Sequence, residues 1–77
     1  MAEERLTVDA RGFSCPMPVL KTKRALESIG AGWVEVIVDE HVSVENIGRL
    51  VAHMGYSHQT EADENGWRIT IHKPEAS

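Results

Sequence analysis

The sequence predicts an α/β (α+β) two-layer sandwich in the order β-α-β-α-β-β, a four-stranded mixed sheet with two helices on one face. Three observations predict it. Apolar residues recur with a period of two, then of about 3.6, and this switch occurs twice before residue 56. Each helical segment lies between two strand-like segments, and right-handed crossovers place both helices on the same face of the sheet. Asn65-Gly66 then separates two alternating runs, which marks a β-hairpin and makes the last two strands antiparallel.

Taken in order, Leu6 and Val8 alternate with Arg5, Thr7 and Asp9, the pattern of a short strand with one buried face. From Pro16 to Ile29 the period becomes helical, with Val19, Thr22, Ala25, Leu26 and Ile29 on one side. Gly30 and Gly32 are expected to end this helix. Trp33 to Val38 is rich in β-branched residues and almost continuously apolar, as a central strand requires. Ser43 is the expected N-cap of the second helix, with Glu45 in its first turn. Val44, Ile47, Leu50, Val51 and Met54 form its apolar stripe, and Gly55 closes it. Strands over Tyr56–Ala62 and Trp67–Lys73 complete the chain around Glu64-Asn65-Gly66, where Asn and Gly both tolerate positive φ. Residues 1–4 and 74–77 read as loose ends of one domain spanning 1–77, with no linker, repeat or low-complexity stretch.

Bulk properties narrow the function. Seventy-seven residues with one cysteine must hold together by packing, because no internal disulfide is available. No apolar run approaches the length of about 18 residues that spans a bilayer, and the acidic start Met-Ala-Glu-Glu-Arg is unlike a signal peptide. A free thiol without an export signal points to the reducing cytoplasm. The net charge of −4 disfavours a broad nucleic-acid surface.

The cysteine occupies an unusual frame, Cys15-Pro16-Met17-Pro18. Proline suits the first turn of a helix and pushes the residue before it out of the α region. Cys15 is therefore expected at the N-cap of the first helix, with the regular turns beginning one or two residues late because Pro18 also restricts Met17. A sulfur there meets the positive end of the helix dipole, which favours the reactive thiolate. The N–H groups of Met17, Val19 and Leu20 are possible donors, and Lys21, Arg24 and Arg11 are nearby positive charges. The alternative is a buried cysteine acting as a small hydrophobe, and spacing alone does not choose between the two.

Asp9-Ala10-Arg11-Gly12 followed by Cys15-Pro16-Met17-Pro18 resembles the signature of the TusA (SirA, YedF-like) sulfur carriers. The resemblance extends through "PVLKTKRALESIGAG", the second strand, "SVENI" and the C-terminal hairpin. It implies the two-layer fold of the C-terminal domain of translation initiation factor 3. It also implies that Cys15 accepts sulfane sulfur as a persulfide from a cysteine desulfurase or rhodanese and passes it to an acceptor protein. Acceptor routes served within the family include tRNA thiolation, molybdenum-cofactor enzymes and sulfur oxidation. One departure is visible: Asp39-Glu40-His41 stands where many members carry Asp-Pro, and "SVENI" is closer to the YedF-like branch.

The remaining residues add detail. Asp9 and Gly12 are expected to shape the loop before Cys15. On the helix, Met17, Leu20, Lys21, Arg24 and Glu27 face outward, and the first four form the expected partner surface beside the cysteine. His41, His53, His58 and His72 lack paired metal-ligand spacing, so no metal site and no cofactor are expected. A Cys-His nucleophile pair would require His41 to fold back towards Cys15; solvated histidines are the default expectation, and His58 and His72 are expected to face each other or solvent across the hairpin. Trp33 and Trp67 are expected to cover sheet edges or core. The working form is expected to be a monomer without independent turnover. The rival reading is a non-catalytic binding or regulatory module whose Cys-Pro motif only shapes the helix start.

Overall fold

The computed structural model describes residues 4–14 and 16–75. The six elements follow the predicted order: β1 (Glu4–Asp9), α1 (Met17–Ser28), β2 (Gly32–Val38), α2 (His41–Met54), β3 (Ser57–Asp63) and β4 (Gly66–Lys73). The strands form one sheet in the order β1-β2-β4-β3. β1 runs parallel to β2, while β2/β4 and β4/β3 are antiparallel.

Alternation along β2 sets the two faces. Val34, Val36 and Val38 are buried, together with Ile69 and Ile71 of the neighbouring β4. They meet Leu26 of α1 and Ile47 and Val51 of α2 in one cluster, so both helices cover the same face. Each fully buried aliphatic side chain contributes roughly 1.5–3 kcal/mol, against about 0–1 for an exposed ion pair. Core packing therefore holds the helices to the sheet. The opposite face carries half-buried Trp33, Glu35 and Ile37, with Trp33 stacked at 4.4 Å on His72.

Several local expectations change. β1 is an edge strand, and Leu6 on its inward side remains 37% exposed because β1 lies beyond the middle of the helical layer. α1 ends at Ile29 in extended backbone rather than at a glycine. Its last carbonyls are instead satisfied from far along the chain: Lys73 Nζ donates to the carbonyls of Leu26 and Ile29 at 2.6 and 2.7 Å. Gly32 belongs to β2, where its backbone passes close against Glu4 of β1.

α2 begins two residues before the expected Ser43 cap. Glu40 occupies the N-cap position, and Ser43 is a buried helical residue whose N–H donates to the Glu40 carbonyl. The C-terminus agrees with expectation: Gly55 donates to Ala52 and Tyr56 to Val51, the paired bonds of a Schellman motif. Tyr56 thereby ends the helix instead of opening β3.

The hairpin is present, but its turn works differently. Glu64 and Asn65 are the turn residues, and no residue other than glycine among those described has positive φ. Asp63 Oδ1 accepts from the Asn65 N–H at 2.7 Å and organises the turn. His72 pairs with Ser57 and His58 with Ile71, so the two histidines lie on opposite faces of the sheet. Trp67 packs on the core, while Trp33 lies on the open face. Among the described residues, no helix is long and apolar enough to cross a membrane.

Candidate functional site

The parallel pairing of β1 with β2 brings the loop after β1 beside the junction of β2 and α2. Pairing continues one residue past β1, where the buried Ala10 donates its N–H to the Ile37 carbonyl at 2.8 Å. The chain then turns. Asp9 Oδ1 accepts the Arg11 N–H at 3.1 Å, and the two Asp9 oxygens receive Nε and Nη2 of Arg11 at 3.0 Å each. Phe13 donates to the Ala10 carbonyl at 3.4 Å. Gly12, at φ +83°, has only open space where a Cβ would stand, so its backbone conformation rather than crowding calls for glycine. Its N–H donates to Asp39 Oδ2 at 3.0 Å, tying the two loops together.

Arg11 is therefore not a free positive charge for the cysteine. Its guanidinium is paired with Asp9, and Asp63 and Asp39 raise its pKa further. The Arg11 hydrogen bonds in turn lower Asp9 from an ordinary 3.8 to about 2. A depressed carboxyl stabilises the folded loop at pH values above its unfolded pKa, and that contribution is lost as pH falls through about 2. In a carbon-13 titration the Asp9 carboxyl should titrate well below the usual carboxylate range, and Arg11→Ala should return it to ordinary values. A midpoint near 3.8 in the unmodified chain would contradict the pairing.

Cys15 lies outside the described residues. Its successor Pro16 occupies the N-cap position of α1, one residue later than expected for the cap. The Met17 N–H donates to the Ser14 carbonyl at 2.9 Å and the Leu20 N–H to Pro16 at 3.1 Å, so two of the three expected free donors are used by the chain. α1 has no side-chain cap and no acidic residue in its first turn. Pro16 is exposed. Pro18 is fully buried and packs as part of the interior, with its carbonyl accepting the hydroxyl of buried Thr22 at 2.8 Å.

Met17 and Leu20 are 38% and 41% exposed, and Arg24 is exposed beside them. Lys21 is half-buried, and its Nζ lies 4.6 Å over the Phe13 ring, a cation–π contact. Phe13 was not among the expected surface residues, although an aromatic in a polar loop before the cysteine is a readable signal. Val42, 47% exposed in the first turn of α2, was also missed. A recess of about 280 Å³ opens where the two loops meet, lined by Gly12, Phe13, Ser14, Asp39 and Glu40. His41 places Nδ1 3.5 Å from Glu45 and its ring edge-on to Trp67. Among the described residues, no group of three or more His, Cys, Asp or Glu is arranged to hold a metal ion.

Comparison with known proteins adds a second line of argument. Residues 6–73 match the family model described as sulfurtransferase TusA. A provisionally named sulfur carrier protein of Methanocaldococcus jannaschii is 43% identical, over 86% of this chain and 91% of its own length. The sulfur carrier protein TusA of Allochromatium vinosum is 30% identical, over 86% of this chain and 88% of its own. The crystal structure of a SirA-like protein from Desulfitobacterium hafniense superposes with a TM-score of 0.81 at 32% identity, covering 92% of this chain and 99% of that one.

Proposed function

The chain belongs to the TusA family of sulfur carriers, and from that premise we propose that it carries sulfane sulfur as a persulfide on Cys15. The observation that carries this reading is the start of α1. The sole cysteine of the chain immediately precedes a helix N-terminus that has neither a side-chain cap nor an acidic residue in its first turn. The first turn itself holds no carboxylate to compete for the positive end of the helix dipole, and such an end favours a thiolate.

In the proposed reaction the Cys15 thiolate attacks the outer sulfur of a persulfide on a cysteine desulfurase or rhodanese. The new Cys15–sulfur bond forms as the donor's sulfur–sulfur bond breaks. The donor cysteine leaves as thiolate, the proton stays on the transferred sulfur, and no electrons are gained or lost overall. An acceptor nucleophile then takes the outer sulfur and releases the Cys15 thiolate. No cofactor enters either step. Met17, Leu20, Lys21 and Arg24, joined by Phe13, form the proposed partner surface: apolar anchors with a basic margin. Residues 1–77 acting as one domain, a monomeric working form, the cytoplasm as compartment and the absence of direct nucleic-acid binding belong to the same proposal.

The burial of Pro18 gives the rival reading, a motif that only shapes the helix start, one observation in its favour. Thiol chemistry separates the two. A carrier thiol should alkylate with a pH midpoint below the ~8.5 of a free cysteine. A midpoint at or above that value would favour the structural module.

Single proline variants divide the motif. Pro18→Ala removes two buried methylenes and should cost about 1–2 kcal/mol in urea unfolding. Pro16→Ala, at an exposed position, should leave stability within about 0.5 kcal/mol yet slow sulfur loading, because residue 15 regains access to helical geometry. Equal behaviour of the two variants would remove this division of roles.

A further inference from the structure

We propose that Asp39 is a positioning residue for the loop that leads into Cys15; this rests on the carrier reading above. Asp39 follows β2 directly, 27 residues from Gly12 in the chain, and its Oδ2 accepts the Gly12 N–H at 3.0 Å. Among the described residues, this side-chain bond joins the β1–α1 loop to the β2–α2 junction. The other bonds organising residues 10–13, those of Ala10, Arg11 and Phe13, run to β2 or remain within the turn.

Asp39 is itself held in place. Val38 before it is buried, and Glu40 after it occupies the N-cap position of α2. The hairpin end leans on its backbone as well, since a Cβ at Gly66 would lie 3.0 Å from the Asp39 Cα. With the backbone around Asp39 fixed in this way, its carboxylate offers Gly12 an acceptor at a defined place. Gly12 lies three residues before Cys15, and the bond restricts the conformations of the two residues that lead to it. A transfer that must bring two sulfur atoms into line depends on such restriction.

The hydrogen bond rather than the charge is the working feature, so asparagine should substitute. Its side-chain carbonyl accepts the same N–H, while alanine offers no acceptor. Three full-length forms decide the matter: unmodified chain, Asp39→Ala and Asp39→Asn. Asp39 is exposed and outside the core, and a cooperative unfolding transition checks that each form is folded.

In Asp39→Ala the Gly12 amide should exchange with solvent roughly fivefold faster. Sulfur loading from a cysteine desulfurase should slow roughly threefold or more. Asp39→Asn should restore both to within about twofold of the unmodified chain. Unchanged Gly12 exchange and loading in Asp39→Ala would overturn the proposal. So would an asparagine form no better than alanine, since the effect would then belong to the charge. If no form loads sulfur, the carrier reading fails, and the Gly12 exchange series still decides whether Asp39 holds the loop.

Discussion

Incubated anaerobically with a cysteine desulfurase and cysteine, the chain should gain the mass of one sulfur atom, and Cys15→Ser should gain none. The expected contrast is complete because the sequence holds a single cysteine, so no second thiol can take over. Reductant should remove the added mass, since a persulfide is a sulfur–sulfur bond open to thiol exchange. Serine keeps nearly the size of cysteine and can adopt the same backbone, so Cys15→Ser should unfold at an unchanged urea concentration. Loading would then be lost without loss of fold. A chain that gains no mass from desulfurase or rhodanese donors would reject the carrier reading. Mass gained by Cys15→Ser would place the sulfur on another group.

A large expected effect on stability lies far from the thiol in sequence. Gly66 has φ +141°, and a Cβ there would collide with the Val38 carbonyl oxygen and crowd the Asp39 Cα and Val38 carbonyl carbon. These are backbone atoms of the central strand and its exit, which no side-chain rotation can clear. Gly66→Ala should therefore cost about 3 kcal/mol or more, combining backbone strain with displacement of β2 from β4. A domain of this size has roughly 4–12 kcal/mol in total. Urea unfolding should show a large fall in midpoint. Gly30→Ala is the matched control: no atom lies within 4 Å of its added Cβ and its φ is not positive, so stability should hold or rise slightly. Equal midpoints for the two variants would show that the close approach at Gly66 does not carry this energy.

The hairpin shows how a correct expectation can rest on an incomplete cause. Asn65-Gly66 marks the turn, yet Asn65 does not take positive φ and Gly66 lies in β4. What makes glycine necessary there is contact with the end of β2, a strand distant in the chain. The helix ends divide in the same way. Gly55 and Tyr56 close α2 through bonds to Ala52 and Val51, three and five positions back respectively, and that closure is readable in the sequence. α1 is closed by Lys73, 44 residues beyond Ile29, and nothing local announces it. Likewise Pro18 belongs to the helix start in sequence and to the interior in space.

By itself the sequence determined the order of elements, the two-layer class, the apolar stripes of both helices and the family, because periodicity, turn residues and the Cys-Pro-Met-Pro frame are local patterns. Tertiary structure alone decided which strands lie at the edges, that Leu6 stays partly exposed, and that Pro18 is buried in the interior. It also decided that Asp39 reaches Gly12 and that Lys73 closes the end of α1. The physical reason is common to all of these. Local conformation follows from steric and hydrogen-bonding preferences of neighbouring residues. A hydrogen bond or contact between residues far apart in the chain exists only after the sheet has set β1 beside β2 and packed the helices against it.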